Sequence, residues 1–235
     1  MYLNLKPFKN TNKFTMKKLS IIILIIIGAS LSASAQHFRI NAYTAYVFDD
    51  AVDSYYSETR FFEGQVKGGF QWGLGVEYIL PTQGAKQYGV ELSYLRQDTK
   101  APLTYYDPTG INNIKNTNFD LGLNFIMLGG NGYVKVNPKV EPFGGFAAGV
   151  AILDLSNPDN NNSDSATKFA WSIKGGTNIY VTPKVALKLQ ASLLSSVQAV
   201  GGGLYFGTGG TGAGVSSYSS MLQLVLGGGL TLNLN

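Results

Sequence analysis

The sequence predicts an all-β protein, an eight-stranded antiparallel transmembrane β-barrel with short periplasmic turns and long extracellular loops. Three observations predict it. Residues 70–80 read Phe70-Gln71-Trp72-Gly73-Leu74-Gly75-Val76-Glu77-Tyr78-Ile79-Leu80, with a large apolar side chain at every even position and mostly Gly, Gln or Glu between. Alternation at period two marks a strand. The pattern recurs along the chain in segments long enough to cross a membrane, and their connections alternate between short and long, as in barrels with short inner turns and longer outer loops.

The segments follow in order. The first spans 37–48, with Phe38, Ile40 and Ala42 on one side and Arg39, Asn41 and Tyr43 on the other. The second spans 67–80. The third, 87–97, sets Tyr88, Val90, Leu92 and Tyr94 against Gly89, Glu91, Ser93 and Gln97. The fourth, 117–136, sets Phe119, Leu121, Leu123, Phe125 and Met127 against Asn118, Asp120, Gly122 and Asn124, and Gly129-Gly130-Asn131-Gly132 is expected to bulge or bend it. The fifth, 140–155, is rich in Gly and leaves its facing open. The sixth, 167–181, sets Phe169, Trp171, Ile173 and Ile179 against Ala170, Ser172, Lys174 and Asn178. The seventh, 184–195, sets Val185, Leu187, Leu189 and Leu193 against Ala186, Lys188, Gln190 and Ser192. The eighth, 219–234, sets Leu222, Leu224, Leu226, Leu230, Leu232 and Leu234 against Gln223, Gly227, Gly229, Thr231 and Asn233.

Pro81-Thr82-Gln83-Gly84, Asn137-Pro138-Lys139 and Thr182-Pro183 are tight turns with turn residues. The long connections are 49–66, 98–116, 156–166 and 196–218. An even strand count puts both barrel ends in the periplasm. About 11 residues at roughly 3.3 Å each, tilted near 45°, cross an apolar band of about 25 Å. Eight strands leave little room inside for bulk, so the bulky faces are assigned to lipid and the Gly and polar faces to the lumen. Arg39, Lys174 and Lys188 then share the lumen with Glu77, Glu91 and Asp120. Unpaired buried charge is costly, so these six are expected to form an ion network and a polar plug.

The N-terminus reads as an export signal. Met16-Lys17-Lys18 is a basic start, Leu19 to Ile27 an apolar stretch, and Ala33-Ser34-Ala35 a small-residue cleavage site before Gln36. The expected division is therefore 1–35 as a removed signal, with translation starting either at Met1 or at Met16, and 36–235 as the barrel. Five of the 18 basic residues and none of the 14 acidic ones lie in the signal, which leaves the barrel with a net charge of −1. The basic balance belongs to the export segment and argues for no nucleic-acid partner. No Cys is present, which excludes disulfide, thiol and thiolate–metal chemistry. After the signal no apolar run reaches 18 residues, so any membrane crossing must use a closed barrel.

With these features the chain resembles the small outer-membrane barrels of the OmpA/OmpX-like superfamily, the generic outer-membrane β-barrel proteins of Gram-negative bacteria. The likeness covers 36–235. It is carried most by Lys168-Phe169-Ala170-Trp171-Ser172-Ile173-Lys174-Gly175-Gly176, by Leu193-Leu194-Ser195-Ser196-Val197-Gln198 and by Gly201-Gly202-Gly203-Leu204-Tyr205-Phe206-Gly207. One departure is the ending Leu232-Asn233-Leu234-Asn235 in place of an aromatic. The resemblance implies fold and an outer-membrane location, and implies no single activity, since such barrels serve as adhesins, enzymes, small pores and assembly partners.

Motifs for chemistry are sparse. The single histidine, His37, falls at the periplasmic mouth, far from where a rim triad would need a base. Glu77 and Glu91 fit a structural ion network better than an acid–base pair. Gly207-Thr208-Gly209-Gly210-Thr211-Gly212 matches G-x-G-x-x-G but lacks the strand–turn–helix context of a dinucleotide site. The oxygen-rich run 157–164 lacks the Gly and terminal Glu of an EF-hand loop. No catalytic residue, cofactor or metal is expected. The paired aromatics Tyr55-Tyr56, Phe61-Phe62, Tyr105-Tyr106 and Tyr205-Phe206 fit an outer girdle or a surface for a protein or glycan partner. Outer-membrane lipid, lipopolysaccharide and the barrel insertion machinery are the other expected partners. The expected function is a non-enzymatic structural, surface-interaction or envelope-assembly protein, with a small-solute or ion pore as the alternative.

Overall fold

The computed structural model describes residues 37–57, 60–81, 84–106, 114–159, 162–197, 203–207, 210–214 and 221–234. The export segment expected over 1–35 lies outside them.

Period-two alternation yields twelve described strands: β1 (Phe38–Val47), β2 (Asp50–Ser57), β3 (Arg60–Val66), β4 (Gly69–Ile79), β5 (Lys86–Tyr106), β6 (Ile114–Val134), β7 (Val140–Asn157), β8 (Asn162–Tyr180), β9 (Val185–Val197), β10 (Gly203–Gly207), β11 (Gly210–Gly214) and β12 (Met221–Asn233). Eight of them, β1, β4 to β9 and β12, form an antiparallel ring that closes through the pairing of β1 with both β4 and β12. Closure removes the free sheet edges that lipid would not tolerate.

Lipid exposure is written on the outward faces. Leu74, Val90, Leu92, Leu128, Ile173, Leu189 and Leu230 are all exposed. Aromatic pairs mark both boundaries. Phe38 packs on Tyr78 at the periplasmic end, while Tyr46 packs on Phe48 and Trp72 on Tyr94 at the outer end. Phe38 and Phe48 are ten positions apart, which at about 3.3 Å per residue and a tilt near 45° spans about 23 Å, close to the apolar band.

The long connections hold more strand than the sequence suggests. β5 and β6 run on as one hairpin of 21 residues each, and the segments expected as loops over 98–116 and 156–166 are largely the outer ends of β5 to β8. The first loop folds back as the β2–β3 hairpin, whose Phe62, Glu63 and Gly64 pair with Tyr105, Thr104 and Leu103 of β5. Gly129 to Gly132 form no bulge. The β5–β6 register is unbroken from Lys86↔Val134 to Tyr106↔Ile114. Gly129 instead allows close approach to β7, since a Cβ there would sit 2.6 Å from that of Ala147.

One face assignment is reversed. On β6, Phe119, Leu121, Leu123, Phe125 and Met127 point inward and are buried, while Asn118 and Asp120 point outward. The reason is the level of the membrane. Outside the barrel, Tyr94 donates to Asn124 Oδ1 at 2.8 Å, next to the Trp72–Tyr94 pair of the outer girdle. Above that level the outside is water and the inside is a protein core, so the lipid rule no longer applies to Phe119, Leu121 and Leu123; Phe125 and Met127 keep the same inward parity below it, and Ile126 and Leu128 are the lipid-facing residues there.

Candidate functional site

The lumen has two layers. The periplasmic layer is polar and begins at β1. Arg39 reaches across to β7 and holds Glu141 with both guanidinium arms, Nη1 to Oε2 and Nη2 to Oε1, each at 3.1 Å. The fork matches a carboxylate in a way a lysine could not. Asn178 Nδ2 and the Tyr180 hydroxyl also donate to Glu141, at 2.9 and 3.0 Å. Arg39 donates to Gln87 Oε1 at 3.1 Å and lies 4.7 Å from the Tyr133 ring centre.

One level higher, Glu77 and Glu91 are register partners on β4 and β5. Two like charges directly opposite would repel, but each is surrounded by donors. The Tyr133 hydroxyl lies 2.7 and 2.8 Å from the two Glu77 oxygens. Lys174 donates to Glu91 Oε2 at 2.5 Å, and the Tyr43 hydroxyl donates to its other oxygen. Asn41 and Asn131 each donate to both carboxylates. Lys188 Nζ is buried without a hydrogen-bond partner among the described residues and sits 4.7 Å from the Phe143 ring centre and 5.4 Å from that of Tyr43.

Small residues make the room. A Cβ on Gly75 would lie 2.3 Å from Glu91 Oε1, and one on Gly89 2.3 Å from Glu77 Oε1. Both glycines sit where a narrow barrel alternates small and large inward residues.

The outer layer is largely apolar, with Gln97, Gln223 and Lys168 buried at its level. Phe119, Leu121, Leu123, Phe125 and Met127 of β6 meet Ala147, Ala151, Leu153 and Leu155 of β7, together with Val47, Leu103, Leu194 and Val225. Between the layers lies a cavity of about 40 Å³ lined by Tyr43, Gln71, Ser93, Met127, Lys174 and Gln190.

Of the six residues expected in the lumen network, Arg39, Glu77, Glu91, Lys174 and Lys188 are brought together. Asp120 is not: its side chain is 55% exposed on the outer wall and is paired with Lys100 at 2.7 Å. It belongs to a surface cluster in which Arg96 bonds Asp98 and Asn124, and Asn124 Nδ2 donates to Asp154 Oδ2 at 3.0 Å. The third lumen carboxylate is Glu141. Sequence reasoning missed it because Gly144, Gly145 and Gly149 blur the alternation of β7. The one available signal was charge balance, since removing Asp120 from the lumen leaves three cations facing two acids.

The expected contact aromatics divide. Tyr105 is buried, with its ring 5.9 Å from Phe119, and its hydroxyl lies 3.5 Å from that of Thr117, so it packs the outer layer and offers no contact surface. Tyr106 is half-buried. Tyr55, Tyr56, Phe61 and Phe62 lie on the β2–β3 hairpin, and Tyr205 and Phe206 on β10. Their side chains lie outside the described residues. The G-x-G-x-x-G match falls on the β10–β11 antiparallel hairpin, which is not the strand–turn–helix a dinucleotide needs.

A closed antiparallel ring of eight strands, with a lipid-facing apolar belt, two aromatic boundaries and an inward polar layer, defines a small outer-membrane β-barrel. The chain belongs to the family described as outer membrane protein beta-barrel domain, whose pattern matches residues 21–216. No curated protein matches it in sequence. Among solved structures it is similar to the outer membrane protein OprG of Pseudomonas aeruginosa, with 12% identity and a TM-score of 0.51 over 84% of this chain and 95% of that one. It is also similar to the outer membrane protease OmpT of Escherichia coli, with 8% identity and a TM-score of 0.51 over 84% and 97%, and to the Neisserial surface protein A, with 15% identity and a TM-score of 0.49 over 83% and 96%. At these identities the likeness to OprG and OmpT shows the fold alone.

Proposed function

We propose that this protein is a non-enzymatic outer-membrane barrel with a closed lumen, which acts as a structural or surface-interaction element of the envelope through its outer face. The observation that carries the reading is the bridging of the lumen by Arg39–Glu141 and Lys174–Glu91 beneath the packed side chains of β6 and β7. In the periplasmic layer three cations, Arg39, Lys174 and Lys188, balance three acids, Glu77, Glu91 and Glu141, so that layer has no net charge to select an ion, while a fourth buried cation, Lys168, lies higher on β8 opposite Ala151. A hydrolytic role would call for a base at the outer rim, and the single histidine, His37, lies at the other end. The partners that fit are lipopolysaccharide around the outer wall, the insertion machinery during assembly, and a protein or glycan on the outer strands.

A pore is the second reading. Gln71, Gln97, Gln190 and Gln223 have buried side-chain atoms without partners, which water in a conducting path would satisfy. Liposome swelling separates the two. The closed barrel gives rates equal to those of empty liposomes for sugars of every size, whereas rates that fall with sugar size would establish the pore.

A further inference from the structure

Charge is sorted along the barrel axis. Of the 14 acidic residues, Glu77, Glu91 and Glu141 point into the lumen. The remainder fall at the outer strand ends or in the segments that join them. None falls in the turns that close the periplasmic end, and Lys86, Lys135, Lys139 and Lys184 sit there.

These lysines divide between the cavity and the lipid side. Lys135 follows the end of β6 and Lys139 lies in the turn before β7; both are exposed, and the cavity they line places them. Lys86 shares the parity of lipid-facing Tyr88 and Val90. Lys135 and Lys139 line an open vestibule of about 710 Å³ together with Arg39, Gln87, Tyr180 and Asn233. Arg39 is neutralised by Glu141 in the floor. Neither lysine is in an ion pair with a described carboxylate. Two uncompensated positive charges therefore face a cavity of ligand size.

We infer that this vestibule is a binding site for a multiply charged anionic group, phosphate or paired carboxylates, presented from the periplasm. Inner-leaflet lipid phosphates fit less well, because Lys135 and Lys139 line the cavity, whereas Lys86 shares the parity of the lipid-facing Tyr88 and Val90. The Arg39–Glu141 pair gives the site a rigid floor, and the two exposed lysines adapt to the ligand.

The test uses the full chain purified from outer membranes in a zwitterionic detergent, with heat-modifiable gel migration as the check on folding. Inorganic pyrophosphate and citrate are titrated by calorimetry at low salt. The site predicts binding that weakens with added salt, falls roughly tenfold or more in K135Q/K139Q, and is unchanged in K86Q. Absence of binding by both anions in the millimolar range would overturn it, as would equal loss in K86Q. In nanodiscs, a preference for phosphatidylglycerol over phosphatidylcholine that K86Q abolishes, with no effect of K135Q/K139Q, would assign the charge to lipid and also overturn it.

Discussion

Glu77 and Glu91 stand directly opposite each other on β4 and β5 and share the side-chain amides of Asn41 and Asn131. Two carboxylates in a narrow lumen are tolerable because every nearby donor is aimed at them. Glu77 depends on neutral donors, above all Tyr133, whereas Glu91 has Lys174. The two should respond differently to loss of a partner.

Lys174→Met leaves Glu91 buried without its cation and is expected to cost about 3–5 kcal/mol. Lys174→Met combined with Glu91→Gln should cost less than the single change. Lys188→Met removes an amine with no hydrogen bond among the described residues and should cost less than Lys174→Met. Urea unfolding in lipid vesicles, followed by heat-modifiable migration, measures all three; equal losses for the two lysines would contradict the assignment.

Arg39→Lys keeps the charge and loses the fork to Glu141. The loss of a charge-assisted bond is expected to cost about 1.5–3 kcal/mol. If Arg39→Lys unfolds at the wild-type midpoint, the bidentate contact contributes nothing.

Gly89→Ala places a Cβ 2.3 Å from Glu77 Oε1, whereas at Gly130 the nearest atom would be 4.0 Å away. The first change is expected to destabilise by about 1–3 kcal/mol through overpacking, and Gly130→Ala to stay close to neutral. The same unfolding assay distinguishes them, and a neutral Gly89→Ala would remove the close-approach argument.

The reversed face of β6 is testable because the chain has no cysteine. A water-soluble maleimide should label Asp120→Cys rapidly in intact cells and leave Leu123→Cys and Phe125→Cys unlabelled. Labelling of Leu123→Cys with protection of Asp120→Cys would restore the lipid-facing assignment.

Outside the membrane, the backbone amide of Gly68 and the Lys67 ammonium both donate to Asp49 and hold its carboxyl below the ordinary carboxylate range. A depressed folded value means that the contribution is present above the unfolded value and fades as the pH falls through the folded one. Lys67→Gln should move the Asp49 titration upward, as read by carboxyl-carbon NMR; an unmoved titration would show that Lys67 has no part in it.

The fold was legible because lipid imposes one rule on every spanning strand. β4 alternates from Gly69 to Tyr78, and its inward Glu77 followed from parity alone. The tight turns at Asn137-Pro138-Lys139 and Thr182-Pro183 gave the order of strands. The rule failed where its physical premise stopped. β6 continues above the lipid, where Phe119 and Leu123 seek the interior and Asp120 seeks water, yet the alternation looks the same in sequence. Glu141 was hidden by the glycines of β7, which have no face to report. The length of the β5–β6 hairpin was hidden because strand above a membrane reads like a polar loop.

The closed lumen is tested most directly by single-channel recording of the folded barrel in planar bilayers. The account predicts no steady conductance in the wild type, and openings only when Glu91→Gln or Glu141→Gln breaks the cross-lumen pairs. Steady wild-type conductance that changes when Glu77 and Lys174 are neutralised would contradict it and make the barrel a pore.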